Sequence, residues 1–410
     1  MSWKESCPMQ ERIRFMADVE REEWSLSALC RAYGVSRKTG YKWIELFKQG
    51  GFGALSDRSR AAHRHPNATP AETLEAILSF RARHPTWGPR KLVARLAALE
   101  PARRWPAPST AGEILRRHGL SSPRRRSRRC EPSRAPFQDC RAPNDVWGLD
   151  FKGWFRTGDG RRCDPLTLTD AHSRYLLRCQ GLTTTRSPWV RPIVEAAFRE
   201  YGLPRAIRTD NGAPFASLAP AGLSRLSAWW IKLGITPERI EPGHPEQNGR
   251  HERMHATLKQ ETARPPRANL RAQQRAFDRF RREFNEERPH EALGQHPPAS
   301  IYASSARAYP EKLKALEYPA AMETHKVQEH GQIRWRGGRL FVSATLAGEN
   351  IGLEQVEDRT WKVYFAHLEL GTFEPSPERE NWSLSRNRRG EREAPGRGGL
   401  RPPDPPRRVD

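Results

Sequence analysis

The sequence predicts a multidomain protein with two all-α units, an α/β core, a small β-barrel and a disordered tail. Three observations support this order. The 410 residues exceed the size of one ordinary domain. The spacing of apolar residues changes after residue 144 from a helical period to alternating strands and helices. Beyond Ser376 the chain is rich in Pro, Arg and Gly, a composition that cannot supply a core.

The charge of the chain indicates its class of partner. The formal net charge is +23, and hydrophobic residues make up 36% of the chain. Arginine binds phosphate oxygens in bidentate geometry, so an excess of basic residues favours a nucleic-acid partner. A merely solvated basic surface is the weaker alternative, because the charge is spread over the whole chain.

Cysteine usage and hydropathy bear on the cellular compartment. The six cysteines form no C-x-x-C pair, and no secretory signal is recognisable at the N-terminus. No apolar run approaches the roughly 18–20 residues that cross a bilayer. We therefore expect reduced thiols in a cytoplasmic protein without membrane association.

The first helical unit, residues 1–60, is typical of a helix-turn-helix domain. Helices are expected at 9–19 and 25–33, followed by a turn at Gly34 and a helix capped by Ser36. Basic side chains at the front of that last helix are the expected DNA contacts: Arg37, Lys38 and Lys42. An ordinary helical hairpin is the alternative, which the basic leading edge and the overall charge make less favoured.

A second helical unit, of helix-turn-helix or winged type, is expected over residues 69–120. Its helices are predicted at 70–83, 89–99 and 110–118. Ser109 is the expected cap of the third helix, and Arg116 and Arg117 near its end are candidate DNA contacts. Two such units in tandem suit a long, bipartite DNA site.

Two segments are not expected to hold a fixed structure alone. Residues 121–143 form a proline-punctuated basic linker, and residues 376–410 form the disordered basic tail. Three arginines of the linker are expected to follow DNA phosphates: Arg124, Arg125 and Arg126.

The central region, residues 144–305, predicts three meandering strands followed by alternating helices and strands. The strands are expected at 146–155, 166–169, 175–179 and 206–210, and the helices at 188–201, 223–233, 247–262 and 270–287. Gly158-Asp159-Gly160 supplies the first hairpin turn. This order is that of a ribonuclease-H-like α/β fold. Alternating apolar residues with glycine turns then predict a small β-barrel over 325–375.

Three acidic residues in separate elements are candidate metal ligands. Asp150 lies inside an apolar strand, where an unpaired carboxylate is costly. Asp210 ends a short strand, and Glu252 projects from the long helix that follows. Phosphoryl transfer between DNA strands uses two divalent metals held by such carboxylates. Each alone is more often a cap or turn residue; Asp170, at a turn between strands, is left outside the metal set for that reason.

Neighbours of Glu252 offer rivals and companions. Glu246 and Glu261 are the nearest alternative carboxylates, but the first lies in a loop and the second more than two helical turns away. His255 and Lys259 share the helical face of Glu252 and are expected to contact DNA near the cleaved bond.

The segment from His251 to His255 also matches H-E-x-x-H, the helical zinc signature of metalloproteases. Polar and basic residues surround the motif, and no third zinc ligand has a distinctive context. A metalloprotease would also leave Asp150, Asp210 and the helix-turn-helix units unexplained. This interpretation is therefore disfavoured.

Collinear blocks carry a more specific signal, at 147–153, 208–217, 222–230, 247–259, 285 and 288–293. Together they closely resemble the DDE transposases of bacterial insertion sequences, whose catalytic core is similar to retroviral integrases. The resemblance covers residues 1–375. It implies that Asp150, Asp210 and Glu252 form the catalytic triad, and that the two helical units bind the terminal repeats of the element.

The resemblance and the carboxylates together favour a transposase, a polynucleotidyl transferase that cleaves and joins DNA. Two Mg²⁺ ions are the expected cofactor, with Mn²⁺ as a substitute, and Asp150, Asp210 and Glu252 are the expected ligands. The expected partners are double-stranded DNA of the transposon ends and of the target, and further copies of the chain. The expected location is the bacterial cytoplasm, at the nucleoid. A catalytically silent DNA-binding regulator and the zinc metalloprotease are the alternatives.

Overall fold

The computed structural model describes residues 7–57, 68–121, 140–217, 219–241, 249–376 and 380–385. The chain divides into two compact units, residues 1–70 and 71–410. The second helical region and the α/β core therefore belong to one unit. The linker arginines Arg124, Arg125 and Arg126 lie outside the described residues, as does most of the tail.

The first unit contains three helices, α1 (Pro8–Glu20), α2 (Leu26–Ala32) and α3 (Arg37–Gly50). Ser36 caps α3 by accepting a hydrogen bond from the Thr39 amide at 3.2 Å, as the sequence predicts. Gly40 lets α2 and α3 approach closely, since a Cβ atom there would lie 2.6 Å from Cys30 Sγ. The backbone arrangement expected of a helix-turn-helix domain is therefore present.

The second helical region also has three helices, α4 (Ala71–Arg83), α5 (Pro89–Leu99) and α6 (Pro108–Arg117). Trp87, Ile77 and Leu92 are fully buried at its centre. The predicted cap of the third helix is wrong: α6 begins at Pro108, so Ser109 lies in its first turn. Proline has the backbone angle of a first helical residue already fixed, and this outweighs the capping preference of serine.

The core sheet is formed by β1 (Val146–Phe151), β2 (Phe155–Arg156), β3 (Arg162–Asp170), β4 (Leu176–Leu182), β5 (Ala206–Thr209) and β6 (Thr236–Arg239). Their order is β2-β3-β1-β5-β6, with β4 also paired to β3. The first strands are antiparallel, whereas β1, β5 and β6 run parallel. The predicted ribonuclease-H-like order of elements is present, with β6 as an additional strand.

Four helices cover the sheet, α7 (Ser187–Tyr201), α8 (Arg225–Lys232), α9 (Gly249–Thr262) and α10 (Leu270–Arg282). Successive side chains of a strand face opposite sides of the sheet. Trp147 and Leu149 of β1 therefore pack into one core with α7 and α8. The other face meets α9 and α10 through a second core that contains Met254, Leu258 and Phe277. Asp150 of β1 faces this second side.

The C-terminal strands are β7 (Glu323–Lys326), β8 (Gln332–Trp335), β9 (Gly338–Phe341), β10 (Asn350–Gln355), β11 (Trp361–Phe365), β12 (Leu368–Phe373) and β13 (Asn381–Ser383). They form two open sheets, of order β12-β11-β10-β7 and β13-β9-β8. The described residues therefore contain no closed barrel, contrary to the prediction. Trp335, Trp361 and Phe373 share one core between the sheets.

The predicted disordered tail is also corrected in part. Strand β13 lies beyond Ser376 and pairs in parallel with β9. Trp382 holds it there, since its ring packs against Gly338 and lies 5.8 Å from the ring of Trp335. A single large aromatic residue thus anchors a segment whose composition alone indicates disorder.

Candidate functional site

Asp150 lies in β1, and Asp210 directly follows β5, the parallel neighbour of β1. The pairing of β1 with β5 sets Val146 opposite Ala206 and Gly148 opposite Arg208. Continued beyond the end of β5 at Thr209, this register would bring Asp210 beside Asp150. Neighbouring strands are about 4.8 Å apart, so the two carboxylates are expected near the same edge of the sheet. The Gly212 amide donates a hydrogen bond to Asp210 Oδ1 at 3.1 Å and orients that side chain.

Helix α9 carries the third predicted carboxylate. Its buried face carries His251, Met254, His255 and Leu258, which pack on the sheet. Glu252 lies in the first turn and is exposed. A helix advances about 100° per residue, so Glu252 lies about 60° around the helix from His255. His255 itself faces Asp150, with Nδ1 3.9 Å from Oδ2.

A buried hydrogen-bond cluster joins α9 to the two central strands. Thr167 Oγ1 of β3 lies 2.7 Å from His251 Nε2 and 2.6 Å from His255 Nε2. Thr167 Oγ1 also donates to the Asp150 backbone oxygen at 3.2 Å, so it can accept an N–H from each imidazole; these tautomers are assigned from the network. Gly148 makes room for the cluster, since a Cβ there would lie 3.0 Å from His251 Nδ1.

Burial keeps both imidazoles neutral. Desolvation lowers the pKa of His251 to about 3. Desolvation, then the neighbouring His251 and Lys152, also lowers the pKa of His255 far below its ordinary value. His255 is 3% exposed, so its predicted role as a DNA contact is wrong: its side chain faces the core rather than the surface. The sequence misses Thr167, because a threonine in a strand carries no distinctive signal.

The H-E-x-x-H motif places its two histidines on one helical face, as the pattern requires. Within the described residues, ligand atoms of Asp150, His251 and His255 lie within 4.8 Å of one another. Thr167 already engages both Nε2 atoms, however, and Glu252 is exposed on another face of the helix. A catalytic zinc needs an open coordination position and an adjacent base. The two histidines of the motif are therefore buried packing and hydrogen-bonding residues here, rather than ligands of a catalytic zinc.

The two alternatives to Glu252 as the third carboxylate are Glu261 and Glu246. Glu261 Oε1 accepts a hydrogen bond from Arg288 at 2.7 Å and from the Thr86 hydroxyl. It thus serves a contact between α9 and the second helical region, away from Asp150. Glu246 lies outside the described residues. Asp170 is fully buried and accepts bonds from Ser173 and the Asn144 amide, in agreement with its exclusion from the metal set.

The contact between the second helical region and the core is a feature that sequence reasoning misses. Arg288 is buried between Glu261 and the ring of Trp87, which lies 5.8 Å from its guanidinium carbon. His84 Nδ1 lies 3.0 Å from Glu283 Oε1. Lys91 is partly buried beside this network, and desolvation, then Arg288, lowers its pKa to about 8.

The predicted DNA contacts differ in accessibility. Arg37, Lys38 and Lys42 are exposed on the first turns of α3, next to Tyr41, which is 62% exposed and was not predicted. Lys259 is exposed on α9. Arg116 and Arg117 are exposed as well, but both pair with Glu113, at 2.7 and 2.9 Å. Within the described ranges, no helix is long and apolar enough to cross a membrane.

Comparisons with known proteins agree with this architecture. Integrase core domain families match residues 141–245 and 233–298. A helix-turn-helix domain family matches residues 11–63, and a homeodomain-like family matches residues 39–115. The catalytic core domain of HTLV-2 integrase, solved with magnesium, is 17% identical, with a TM-score of 0.32 over 40% of this chain and 98% of that chain.

Two curated relatives come from bacterial insertion elements. The uncharacterized 39.2 kDa protein of IS476 from Xanthomonas euvesicatoria is 31% identical over 44% of this chain and 51% of its own length. The uncharacterized 31.7 kDa protein of IS407 from Burkholderia multivorans is 31% identical over 48% of this chain and 68% of its own length. The chain thus spans about half of one relative and about two thirds of the other. It belongs to the DDE transposase family of bacterial insertion sequences, with an integrase-like, ribonuclease-H-like core.

Proposed function

We propose that the protein is a magnesium-dependent transposase. It binds the terminal inverted repeats of its insertion sequence, cleaves the DNA at each end and joins the freed 3′ end to target DNA. The observations that support this proposal are the parallel pairing of β1 with β5, which leads Asp150 and Asp210 toward the same edge of the sheet, and the exposed Glu252 in the first turn of α9. These residues are the proposed catalytic triad.

The residues at the sheet edge fit a magnesium site. Magnesium prefers hard oxygen ligands, usually one or two carboxylates with water and phosphate completing the shell. Asp150 and Asp210 offer two carboxylates on one edge, and Glu252 offers a third from a different element. Bound there, two magnesium ions would polarise the attacking oxygen and stabilise the leaving oxygen. Mn²⁺, which also accepts oxygen ligands, is the proposed substitute.

The chain's own groups hold the reacting strand and shape this site. Thr167 donates to the Asp150 backbone oxygen, and His255 Nδ1 lies 3.9 Å from Asp150 Oδ2, so this cluster packs directly behind the Asp150 side chain. Thr167 fixes α9 against β3 through both imidazoles, and thereby fixes the direction of Glu252. Lys259, about two helical turns beyond Glu252, is exposed where it can contact a phosphate of the reacting strand. Arg37, Lys38 and Lys42 contact the terminal repeats.

The test is strand transfer with DNA that carries the inverted repeats flanking the gene. We expect Asp150→Asn, Asp210→Asn and Glu252→Gln each to lower joining by at least about 100-fold, because each removes a ligand whose metal supplies several kcal/mol. Binding of the repeat DNA should stay near the wild-type level. Glu286→Gln, an exposed glutamate outside the site, is the matched control and should retain full activity.

Other outcomes distinguish the alternatives. Full joining by Glu252→Gln would refute the triad. Specific binding of the repeats by the wild-type protein, without joining in Mg²⁺ or Mn²⁺, would indicate a silent regulator instead. Because two DNA ends must be held together and each chain offers one triad, the active species is proposed to be at least a dimer.

A further inference from the structure

A small cavity lies beside the proposed catalytic edge. It has a volume of about 170 Å³ and is bounded by the loop after β1 and the second half of α9. Its floor is apolar, formed by Pro165, Leu258 and Phe277. Pockets for whole small molecules are about 300–1,000 Å³, so this cavity has room for one planar ring system rather than a whole nucleotide.

The rim of the cavity is basic and aromatic. Lys152, Lys259 and Trp154 line it. Trp154 is 56% exposed, so its ring is accessible to a ligand. Arg156 and Arg162 lie 5.8 and 5.3 Å from its ring. Arg162 also pairs with Asp164 at 2.7 Å.

The cavity is close to the proposed reacting phosphate. Lys152 follows Asp150 by two residues, about 7 Å of extended chain. Lys259 follows Glu252 by seven residues, about 10 Å along α9 and on nearly the same face. Stacked nucleotides of one strand are about 3.4 Å apart, so the cavity lies two or three nucleotides from that phosphate.

We propose that this cavity binds one unpaired base of the DNA, two or three nucleotides from the reacting bond. The base stacks on Trp154 and enters the space above Leu258 and Phe277, while its flanking phosphates lie between Lys152 and Lys259. A paired base cannot reach the floor, because its partner strand would collide with the walls, so the base must leave the duplex. Aromatic stacking with basic flanks is the chemistry that holds single-stranded nucleotides. The inference rests on the proposed function only for the location of the reacting phosphate.

Fluorescence of 2-aminopurine tests the proposal without any reaction. The probes are 20-base-pair duplexes with 2-aminopurine either in an unpaired 5′ overhang or in an internal one-base bulge, measured with the full chain and Ca²⁺ in place of Mg²⁺. The first probe imitates an element end and the second a distorted target. We expect stacking on Trp154 to quench at least one probe, and the stronger quenching identifies the source of the base.

Variants decide the outcome. Trp154→Ala should lose the quenching and bind the quenched probe about 5- to 150-fold more weakly, the range expected for one base–aromatic stack. Trp154→Phe should recover most of both. Trp189→Ala is the matched control, because Trp189 is 57% exposed on α7 and lies outside the cavity. Ala263→Leu, which fills the cavity from the end of α9, should reduce quenching while Trp154 is retained.

Three results would each overturn the proposal. They are quenching by Trp154→Ala equal to that of the wild type, no quenching of either probe by the wild type, and equal loss of quenching in Trp154→Ala and Trp189→Ala. These failures are separate from failure of the proposed function. If Asp150→Asn loses joining but Trp154→Ala still quenches the probe, only the proposal for the cavity is contradicted. If the wild type quenches the probe but does not join DNA, only the proposed transposase function is contradicted.

Discussion

The two helical regions have similar secondary structure but different surroundings. In the first, α3 presents Arg37, Lys38 and Lys42 on an exposed surface. In the second, the corresponding basic residues of α6 are paired with Glu113, while Trp87 and its neighbours contact the catalytic core. The same arrangement, three helices with a basic edge, can therefore serve different roles in the two regions. The comparison favours the first region as the proposed DNA-binding surface, whereas the second packs against the core.

The largest expected effect concerns the buried contact of the second region. Arg288→Leu removes the partner of Glu261 and leaves its carboxylate unpaired in a site where the two side chains are only 7% and 16% exposed. We expect the free energy of unfolding to fall by about 3–5 kcal/mol. Arg90→Leu is the matched control, because its pair with Glu291 is exposed and contributes about 0–1 kcal/mol. Urea unfolding measures both, and equal losses would contradict the buried contact.

The next effect concerns the exposed helix of the first region. Replacing Arg37, Lys38 and Lys42 together with alanine should remove about three phosphate contacts. The slope of log affinity against log salt concentration is negative, and its magnitude should then decrease by about 2.7, since each contact contributes about 0.9. Binding of repeat DNA at several salt concentrations gives this slope. An unchanged slope would show that the DNA surface lies elsewhere.

A third effect is a pH dependence that belongs to the second region. Burial lowers the pKa of Lys91 to about 8, below the 10.5 of an unfolded chain. Between these values the unfolded state binds more protons, so the stability of the folded protein rises with pH and levels off above 10.5. Lys91→Met should lack this rise. Unfolding free energies of the two proteins from pH 7 to 11 test it, and parallel curves would contradict the prediction.

The smallest effect is expected at α6. Arg116 and Arg117 are exposed and already paired, so their replacement with alanine should leave the free energy of unfolding nearly unchanged. The salt slope of DNA binding should change by less than about 1, well below the change for α3. A drop as large as that of the α3 variant would remove the distinction between the two regions.

The sequence predicts local features well, but it does not predict which distant residues contact each other in the fold. The cap of α3 and the order of elements around Asp150 and Asp210 follow from short-range patterns, and the structure confirms both. Strand β6 was missed because its Thr-Pro-Glu-Arg sequence is polar, and only pairing with β5 makes it a strand. The closed barrel was wrong for a related reason: alternation identifies strands but not whether the last strand pairs with the first.

The site shows the same limit. Carboxylates in a conspicuous order can be picked out of a sequence, but the partners that orient them cannot. The sequence predicts His255 as a DNA contact at the surface, whereas in the fold its side chain faces Asp150. Thr167, which hydrogen-bonds to it, belongs to no recognisable motif. The contact of Arg288 with Glu261 joins residues 27 positions apart, so no local pattern reports it.

Helix α9 connects two sets of contacts that lie toward its opposite ends. Glu261, near its end, is held by Thr86 and Arg288, and Glu252 lies nine residues earlier, about 14 Å along the same axis. The stretch between them contains no glycine or proline that would bend it. A straight helix of this length is stiff, so a displacement of Glu261 at the contact with the second helical region would also move Glu252, the proposed third carboxylate of the site.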